Sequence, residues 1–114
     1  MPDYMLLLHE RPELFENVSA DEMQRIITRY IEWRTSLDGT LTGGNKLRDD
    51  SGRVIEPRAG RVETRDGPFT ETKEVIGGYF ILRARDYDEA TEIAKGCPHL
   101  LFGGRIELRQ IDPT

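Results

Sequence analysis

The sequence has one cysteine and no long hydrophobic run, and each absence excludes a class of protein. Cys97 cannot form a disulfide within the chain, which agrees with a reducing compartment. No segment approaches the roughly 20 apolar residues that a membrane-spanning helix needs. A secretory signal requires a positively charged region before its apolar segment, and no such region precedes the short apolar stretch near the N-terminus. We therefore expect a cytoplasmic protein without a membrane partner.

Acidic residues also outnumber basic ones. The chain carries 21 acidic and 16 basic residues, which gives a formal net charge of −5, and it has no long basic run. This balance disfavours non-specific binding to nucleic acid or to anionic membranes. We expect no nucleic-acid partner.

Motifs for cofactors and metals are missing as well. The sequence contains no phosphate-binding loop, no dinucleotide-binding glycine motif, no Gly-x-Ser-x-Gly and no HExxH. Cys97-Pro98-His99 suggests a metal site or a nucleophile, but one Cys and two His do not make a ligand set of standard spacing. We predict no metal and no cofactor, although a cofactor bound without a motif stays open.

The chain does contain the elements of a single α+β domain over residues 1–114. Two predicted strands are apolar on both faces, which is typical of strands in the middle of a sheet. The first covers residues 3 to 9, with Tyr4, Leu6 and Leu8 opposite Met5, Leu7 and His9. The second follows Gly77-Gly78, with Phe80, Leu82 and Ala84 opposite Tyr79 and Ile81.

Two amphipathic helices are predicted from capping residues and apolar spacing. Ser19, followed three residues later by Glu22, begins a helix over about 20–38 that Gly39 ends. Asp86 and Glu89 begin the second helix in the same way. Its inward stripe is predicted to run to Cys97, with Gly96 and Pro98 ending it.

The remaining strands complete the predicted architecture. We interpret residues 40 to 65 as a polar, partly exposed hairpin that includes Arg61–Arg65, and Arg105–Ile111 as the last strand. The resulting β-α-β-β-α-β order with an extra hairpin predicts a ferredoxin-like fold, an antiparallel sheet with both helices on one face.

The other face of this sheet needs a cover. Because the helices cover one face only, we predict that the same face of a second copy packs against it and forms a sheet-to-sheet homodimer. The alternative is a monomer whose hairpin and C-terminal tail fold over that face.

Candidate chemistry concentrates in the stretch from Asp66 to Leu82, where a turn, a charged segment and an apolar strand meet. Asp66, Glu71 and Glu74 are candidate general bases, because a carboxylate beside an apolar strand can have its pKa raised toward neutrality. Lys73 is then the candidate for holding an anionic group of a substrate. The alternative is a turn stabilised by Asp66, with solvated and salt-bridged charges around it.

Two further groups are candidates for the same site. His9 is a candidate acid–base residue and Tyr79 a candidate hydrogen-bond donor, unless both are satisfied at the dimer interface. Arg61, Arg65 and Arg105 would form an anion site if the hairpin and the last strand converge. Otherwise each arginine pairs with a carboxylate on a neighbouring strand.

The central stretch also carries a family resemblance. Asp66-Gly67-Pro68-Phe69, followed by Glu71-x-Lys73-Glu74-x-x-Gly77-Gly78-Tyr79, resembles the signature of the DGPF-domain proteins within the YCII-related family. Flanking segments also resemble parts of that family: Tyr4–Leu8, Gly39–Leu47, Asp88–Ala90 and Gly104–Arg109. The resemblance implies a dimeric ferredoxin-like fold and no settled activity. Related YCII-type proteins carry a His–Asp pair proposed as catalytic; here His9 lies on the first strand rather than in that motif.

Two hypotheses for function follow. The first is a cofactor-independent acid–base enzyme that acts on a small, perhaps anionic, molecule in a cleft at the sheet or dimer face. The second is a non-catalytic dimeric module that binds a metabolite or a protein partner. The fold does not choose between them, because function depends on the site and not on the scaffold.

Overall fold

A computed structural model describes residues 1–67 and 74–114. The helices are α1 (Ala20–Ser36) and α2 (Tyr87–Lys95), and a short 3₁₀ helix covers Pro98–Phe102. The strands are β1 (Asp3–Glu10), β2 (Leu41–Lys46), β3 (Arg53–Arg58), β4 (Arg61–Asp66), β5 (Val75–Arg83) and β6 (Arg105–Gln110). None of the described helices combines the length and apolar character needed to cross a membrane.

The main sheet has the order β2-β5-β1-β6, and all of its strand pairs are antiparallel. The two strands that are apolar on both faces therefore lie in the middle, as the sequence predicts. Their inner residues, which include Leu6 and Leu82 with 0% exposure, pack with α1 and α2 in one core. The ferredoxin-like α+β architecture is thereby confirmed.

The predicted helix starts are confirmed by their capping bonds. The Ser19 hydroxyl accepts a hydrogen bond from the Glu22 backbone N–H at 3.1 Å, and the Asp86 carboxylate accepts one from the Glu89 backbone N–H at 2.9 Å. The prediction that places Cys97 on the second helix is wrong. Cys97 is buried, but α2 ends two residues earlier and Cys97 precedes the 3₁₀ helix.

The predicted pairing within residues 40 to 65 is also wrong. β2 joins the main sheet beside β5, and the hairpin consists of β3 and β4 alone. A two-residue turn at Ala59-Gly60, with φ angles of 52° and 78°, connects them. Pro57 lies inside β3, where its missing N–H is tolerated because β3 pairs along one side only.

Strand β5 begins earlier than the sequence predicts. The predicted strand follows Gly77-Gly78, whereas β5 starts at Val75 and contains both glycines. Pairing with β1 extends the strand, because Val75 and Ile76 lie opposite Glu10 and His9. Both glycines therefore lie in the sheet, next to the end of β1.

Candidate functional site

The charged residues of the central stretch that the structure describes lie in two regions. Asp66 ends the exposed hairpin strand β4, and Glu74 lies directly before β5. Glu71 and Lys73 lie outside the described residues. Glu74 pairs with Arg105, with 3.1 Å between Oε1 and Nη2, and the hydrogen bond from Arg105 lowers the pKa of Glu74. A general base needs a raised pKa, so this geometry does not favour that role for Glu74.

The predicted arginines have different carboxylate partners. Arg65 pairs with Glu56 on β3 at 3.0 Å, whereas Arg105 pairs with Glu74. The Arg65–Glu56 pair lies within the hairpin, and the Arg105–Glu74 pair lies at the main sheet. Glu56 lies on the strand next to that of Arg65, as the alternative describes, whereas Glu74 precedes β5, which is not adjacent to the strand β6 that carries Arg105.

His9 and Tyr79 lie on the face of the sheet that is turned away from the helices. The Nε2 of His9 lies 2.9 Å from Oε1 of Glu107. The Tyr79 hydroxyl accepts a hydrogen bond of 2.9 Å from the Asn45 amide. Each side chain thus has a polar partner on a neighbouring strand, and the two remain candidates at this outer face.

A cavity of about 290 Å³ lies on the opposite side of the sheet, between α1 and the inner face of β1, β5 and β2. Its apolar walls come from both layers: Leu8, Phe15, Met23, Ile26 and Phe80. Polar residues from several elements also line it: Glu10, Tyr30, Arg34, Lys46, Asp49, His99 and Asn45, whose side-chain amide is directed to Tyr79 on the other face. A mostly apolar cavity with a few convergent polar groups is the usual form of a small-molecule site.

Glu10 is the buried carboxylate of this cavity. It continues the inward alternation of Tyr4, Leu6 and Leu8 to the end of β1, and it is 5% exposed. Burial raises the pKa of its carboxyl, and the nearby positive charge of Lys46 opposes part of that shift. Glu10 is therefore a carboxylate placed where the strand pattern calls for an apolar side chain.

The Glu10 oxygens face the cavity. In residues 1–67 and 74–114 the Glu10 side chain has no hydrogen bond or ion pair. Every fully buried polar side-chain atom of those residues does have a partner. Because the Glu10 oxygens have no partner, they are not fully buried and must be partly accessible. The cavity that Glu10 lines supplies this accessible space. A ligand in the cavity can reach them.

A β-bulge creates the room for this carboxylate. Leu8 pairs with Gly78 and His9 with Ile76, so Gly77 is the extra residue of β5. A Cβ atom at Gly77 would overlap Oε1 of Glu10. Gly77 thus leaves the space that the end of the Glu10 side chain occupies beside the backbone of β5.

A chain of hydrogen bonds orients Tyr30, the second polar group of the cavity. The buried imidazole of His99, 2% exposed, has Nε2 2.8 Å from the backbone oxygen of His9 and Nδ1 3.2 Å from the Tyr30 hydroxyl. Burial lowers the pKa of His99, which favours the neutral ring. Since a carbonyl can only accept, Nε2 carries the proton and Nδ1 accepts from Tyr30.

This chain determines what Tyr30 offers to a ligand. Its hydroxyl hydrogen is directed to His99, so the oxygen presents lone pairs, and burial raises the pKa of the phenol well above its ordinary value. Tyr30 therefore stays protonated and acts as a hydrogen-bond acceptor. A Cβ at Gly104 would overlap the His99 ring, so this glycine leaves the space that the imidazole occupies.

Glu10, Tyr30 and His99 are not predicted from the sequence as residues of this site, and His99 enters there only through the Cys97-Pro98-His99 motif. The strand pattern could have indicated that Glu10 points inward, because it is the next position on the same face after Tyr4, Leu6 and Leu8. Tyr30 lies on the apolar stripe of α1, where an aromatic residue is usually core. His99 comes from a segment that no periodic pattern covers, so only its packing reveals its role.

In the described part of the chain, no group of three or more His, Cys, Asp or Glu side chains is placed to hold a metal ion.

The chain was compared with known proteins. The family model of the YCII-related domain matches residues 3–113. A solved structure of similar fold is 5-chloro-2-hydroxyhydroquinone dehydrochlorinase (TftG) from Burkholderia phenoliruptrix AC1100, in complex with 2,5-dihydroxybenzoquinone. The alignment has a TM-score of 0.56 and 13% identity, and it covers 96% of this chain and 93% of that one. The search of curated proteins found no match.

We predict that Glu10→Gln raises the melting temperature at about pH 8 and leaves it unchanged near pH 4. Because the folded-state pKa of Glu10 is raised, its contribution to stability is complete below the ordinary glutamate pKa of about 4.3 and is lost as the pH rises through the folded-state value. Thermal unfolding across this range measures the difference. The exposed Glu13→Gln is the control, and an equal effect of both variants at every pH would contradict the assignment.

We also predict that Gly77→Ala destabilises the fold modestly, by about 1 kcal/mol, because its Cβ overlaps the end of the Glu10 side chain, which must then shift toward the cavity. Urea unfolding measures this loss. Combining it with Glu10→Ala should recover much of it, since the overlapping group is then absent. Gly43→Ala is the matched control, because its Cβ would make only an ordinary contact of 3.7 Å with Ile81. Strictly additive losses in the double variant would exclude this steric explanation.

Proposed function

The chain belongs to the YCII-related domain family, and we propose that it is a cofactor-independent acid–base enzyme that acts on a small molecule in the cavity between α1 and the sheet. Glu10 is the proton acceptor. Tyr30, oriented by His99, is a hydrogen-bond acceptor that positions the substrate. The proposal moves the acid–base centre from the outer face of the sheet, where the sequence predicts it, to the helix-covered face.

One observation carries this proposal: Glu10 is a nearly buried carboxylate that faces a mostly apolar cavity without a hydrogen bond or ion pair in the described residues. Burial of an unpaired carboxylate is unfavourable, so a purely structural role would be better filled by an apolar residue. A general base, in contrast, benefits from a pKa raised toward the working pH. The unfavourable placement of Glu10 therefore supports a role in chemistry.

The reaction step consists of proton transfer. The Glu10 carboxylate takes a proton from an acidic O–H or C–H of the substrate, and the electron pair of that bond stays on the substrate. The proton is returned to the same or another substrate atom when the product forms. Tyr30 does not compete for the proton, because burial keeps its own pKa high.

The structural neighbour supports a small ligand, about the size of one aromatic ring. Its name describes an enzyme that acts on a hydroxylated aromatic ring, and its structure holds 2,5-dihydroxybenzoquinone. Because the two chains are only 13% identical, the similarity shows a shared fold and not a shared substrate. The neighbour's structure indicates that this fold can accommodate a small ring. The cavity of about 290 Å³ in this chain agrees with a ligand of that size.

The residues predicted from the central stretch stay candidates for a supporting role. Asp66, Glu71 and Lys73 are not assigned to the cavity, and Glu74 and Arg105 neutralise each other. Their participation remains a prediction.

We expect Glu10→Gln to remove catalysis while leaving ligand binding largely intact. The first step is a thermal-shift screen of small hydroxylated and carbonyl compounds, because a ligand that binds the folded form raises the melting temperature. Proton NMR in heavy water then measures how fast each hit exchanges its acidic C–H protons. Loss of a positioned general base should slow exchange by about 100-fold or more.

Glu13→Gln, on the exposed segment before α1, is the matched control and should exchange at the wild-type rate. Equal exchange by wild type and Glu10→Gln would refute Glu10 as the base. Hits that bind both proteins and exchange with neither would favour the non-catalytic binding module.

We also infer a homodimer formed through the outer face of the sheet. Met5 lies opposite Ile81 and Leu7 opposite Tyr79, so these partly exposed side chains form one continuous apolar surface on the central strands. An apolar surface of this kind favours burial against a symmetry-related copy.

Ile81→Glu is expected to convert the dimer to a monomer, because it places a charge in the middle of this surface. Light scattering coupled to size-exclusion chromatography measures the mass. Ile31→Glu, at a 57% exposed position on α1, is the control and should stay dimeric. A monomeric wild-type protein would contradict the proposed interface.

A further inference from the structure

The two ends of the cavity differ in the kind of group they can bind. Phe80 lies opposite Leu6 and Gly44 at one end, whereas Glu10 lies four residues further along β1 at the other. At about 3.3 Å per residue, these two rows of the sheet are roughly 13 Å apart.

Arg34 provides a cation at the Phe80 end. Met23, Ile26, Tyr30 and Arg34 follow one another at helical spacing and form the stripe of α1 that lines the cavity. The guanidinium carbon of Arg34 lies 5.8 Å from the centre of the Phe80 ring. Among the described residues Arg34 has no carboxylate partner. Arg34 is solvent-exposed at the rim of the cavity, so its hydrogen-bond donors are available to a ligand that enters there.

The second cation near the cavity is already engaged. Lys46 donates to Oδ1 of Asp49 at 2.7 Å and to the backbone oxygen of Leu47 at 2.6 Å. It lies in the sheet row between the two ends, opposite Gly78. An anionic ligand would have to displace Asp49 to reach Lys46, whereas Arg34 requires no such exchange.

The Glu10 end offers acceptors. The Glu10 carboxylate accepts hydrogen bonds when ionised, and the Tyr30 oxygen accepts because its hydrogen is directed to His99. A ligand group that donates a hydrogen bond, such as a hydroxyl, fits this end, while a carboxylate would be repelled by Glu10. The polarity of the cavity thus runs from donors at Arg34 to acceptors at Glu10.

We propose that the cavity selects compact hydroxycarboxylic acids, with the carboxylate bound to Arg34, the apolar body between Phe80 and the α1 stripe, and the hydroxyl group at Glu10 and Tyr30. This inference rests on the proposed function, since Glu10 then faces the hydroxyl end of the substrate. It adds the substrate class, the orientation and the residue that determines specificity.

The test compares matched ligands on wild-type protein and on variants by isothermal titration calorimetry. The probes are para-hydroxybenzoate, its neutral isostere para-hydroxybenzamide, and benzoate, which lacks the hydroxyl group. Wild type should bind para-hydroxybenzoate most tightly. Arg34→Gln should weaken that ligand by about 10- to 100-fold, as expected for loss of a charge-assisted hydrogen bond, and should change para-hydroxybenzamide little.

Arg29→Gln, on the exposed side of the same helix, is the control for net charge and should bind like wild type. Arg34→Lys keeps the charge and should retain most of the preference for the carboxylate. Thermal unfolding without ligand shows whether each variant is folded, and Lys46→Gln, with an expected small effect, separates the two cations.

The inference is overturned if wild type binds none of the probes, or if Arg34→Gln keeps the preference for para-hydroxybenzoate over its amide. It is also overturned if Lys46→Gln, and not Arg34→Gln, removes that preference. The proposed function fails separately, if carboxylate binding depends on Arg34 but Glu10→Gln leaves proton exchange unchanged. The two failures are therefore distinguishable.

Discussion

The antiparallel pairing of β1 with β5 is the constraint on which both the core and the cavity depend. Its register places Leu6 and Leu82 fully inside and continues the same inward face to Glu10. A shift by one residue would turn every side chain of β1 to the other face, so that Glu10 would leave the cavity and His9 would enter it. The same hydrophobic alternation that stabilises the fold thus determines where the carboxylate points.

The bulge at Gly77 shows how the sheet accommodates a polar group at its inner face. One extra residue in β5, without a side chain, leaves the volume that the Glu10 carboxylate occupies. Burial still raises the pKa of that carboxyl, and Lys46 offsets only part of the effect. A local loss of stability is retained where the proposed chemistry needs it, which is common at functional sites.

The hydrogen-bond chain from His9 through His99 to Tyr30 joins three separate elements. The backbone of β1, the 3₁₀ helix and α1 each contribute one member. Because the carbonyl of His9 determines the tautomer of His99, the backbone of the sheet decides which way the Tyr30 hydroxyl points. The polarity of the cavity is therefore a property of the assembled fold and not of any one side chain.

Local patterns were sufficient for the two helices, their N-terminal caps and the two central strands, because periodicity and capping depend on residues within a few positions of each other. The capping bonds of Ser19 and Asp86 are examples. The pairing of β2 with β5, and the contact of Tyr30 with His99 across 69 positions, depend on packing between distant segments. By itself the sequence determined an α+β domain of ferredoxin-like order, because alternation and amphipathicity are local patterns. Only the tertiary structure decided that Glu10, Tyr30 and Arg34 line one cavity, because their meeting depends on the register of the sheet and on the position of α1 above it.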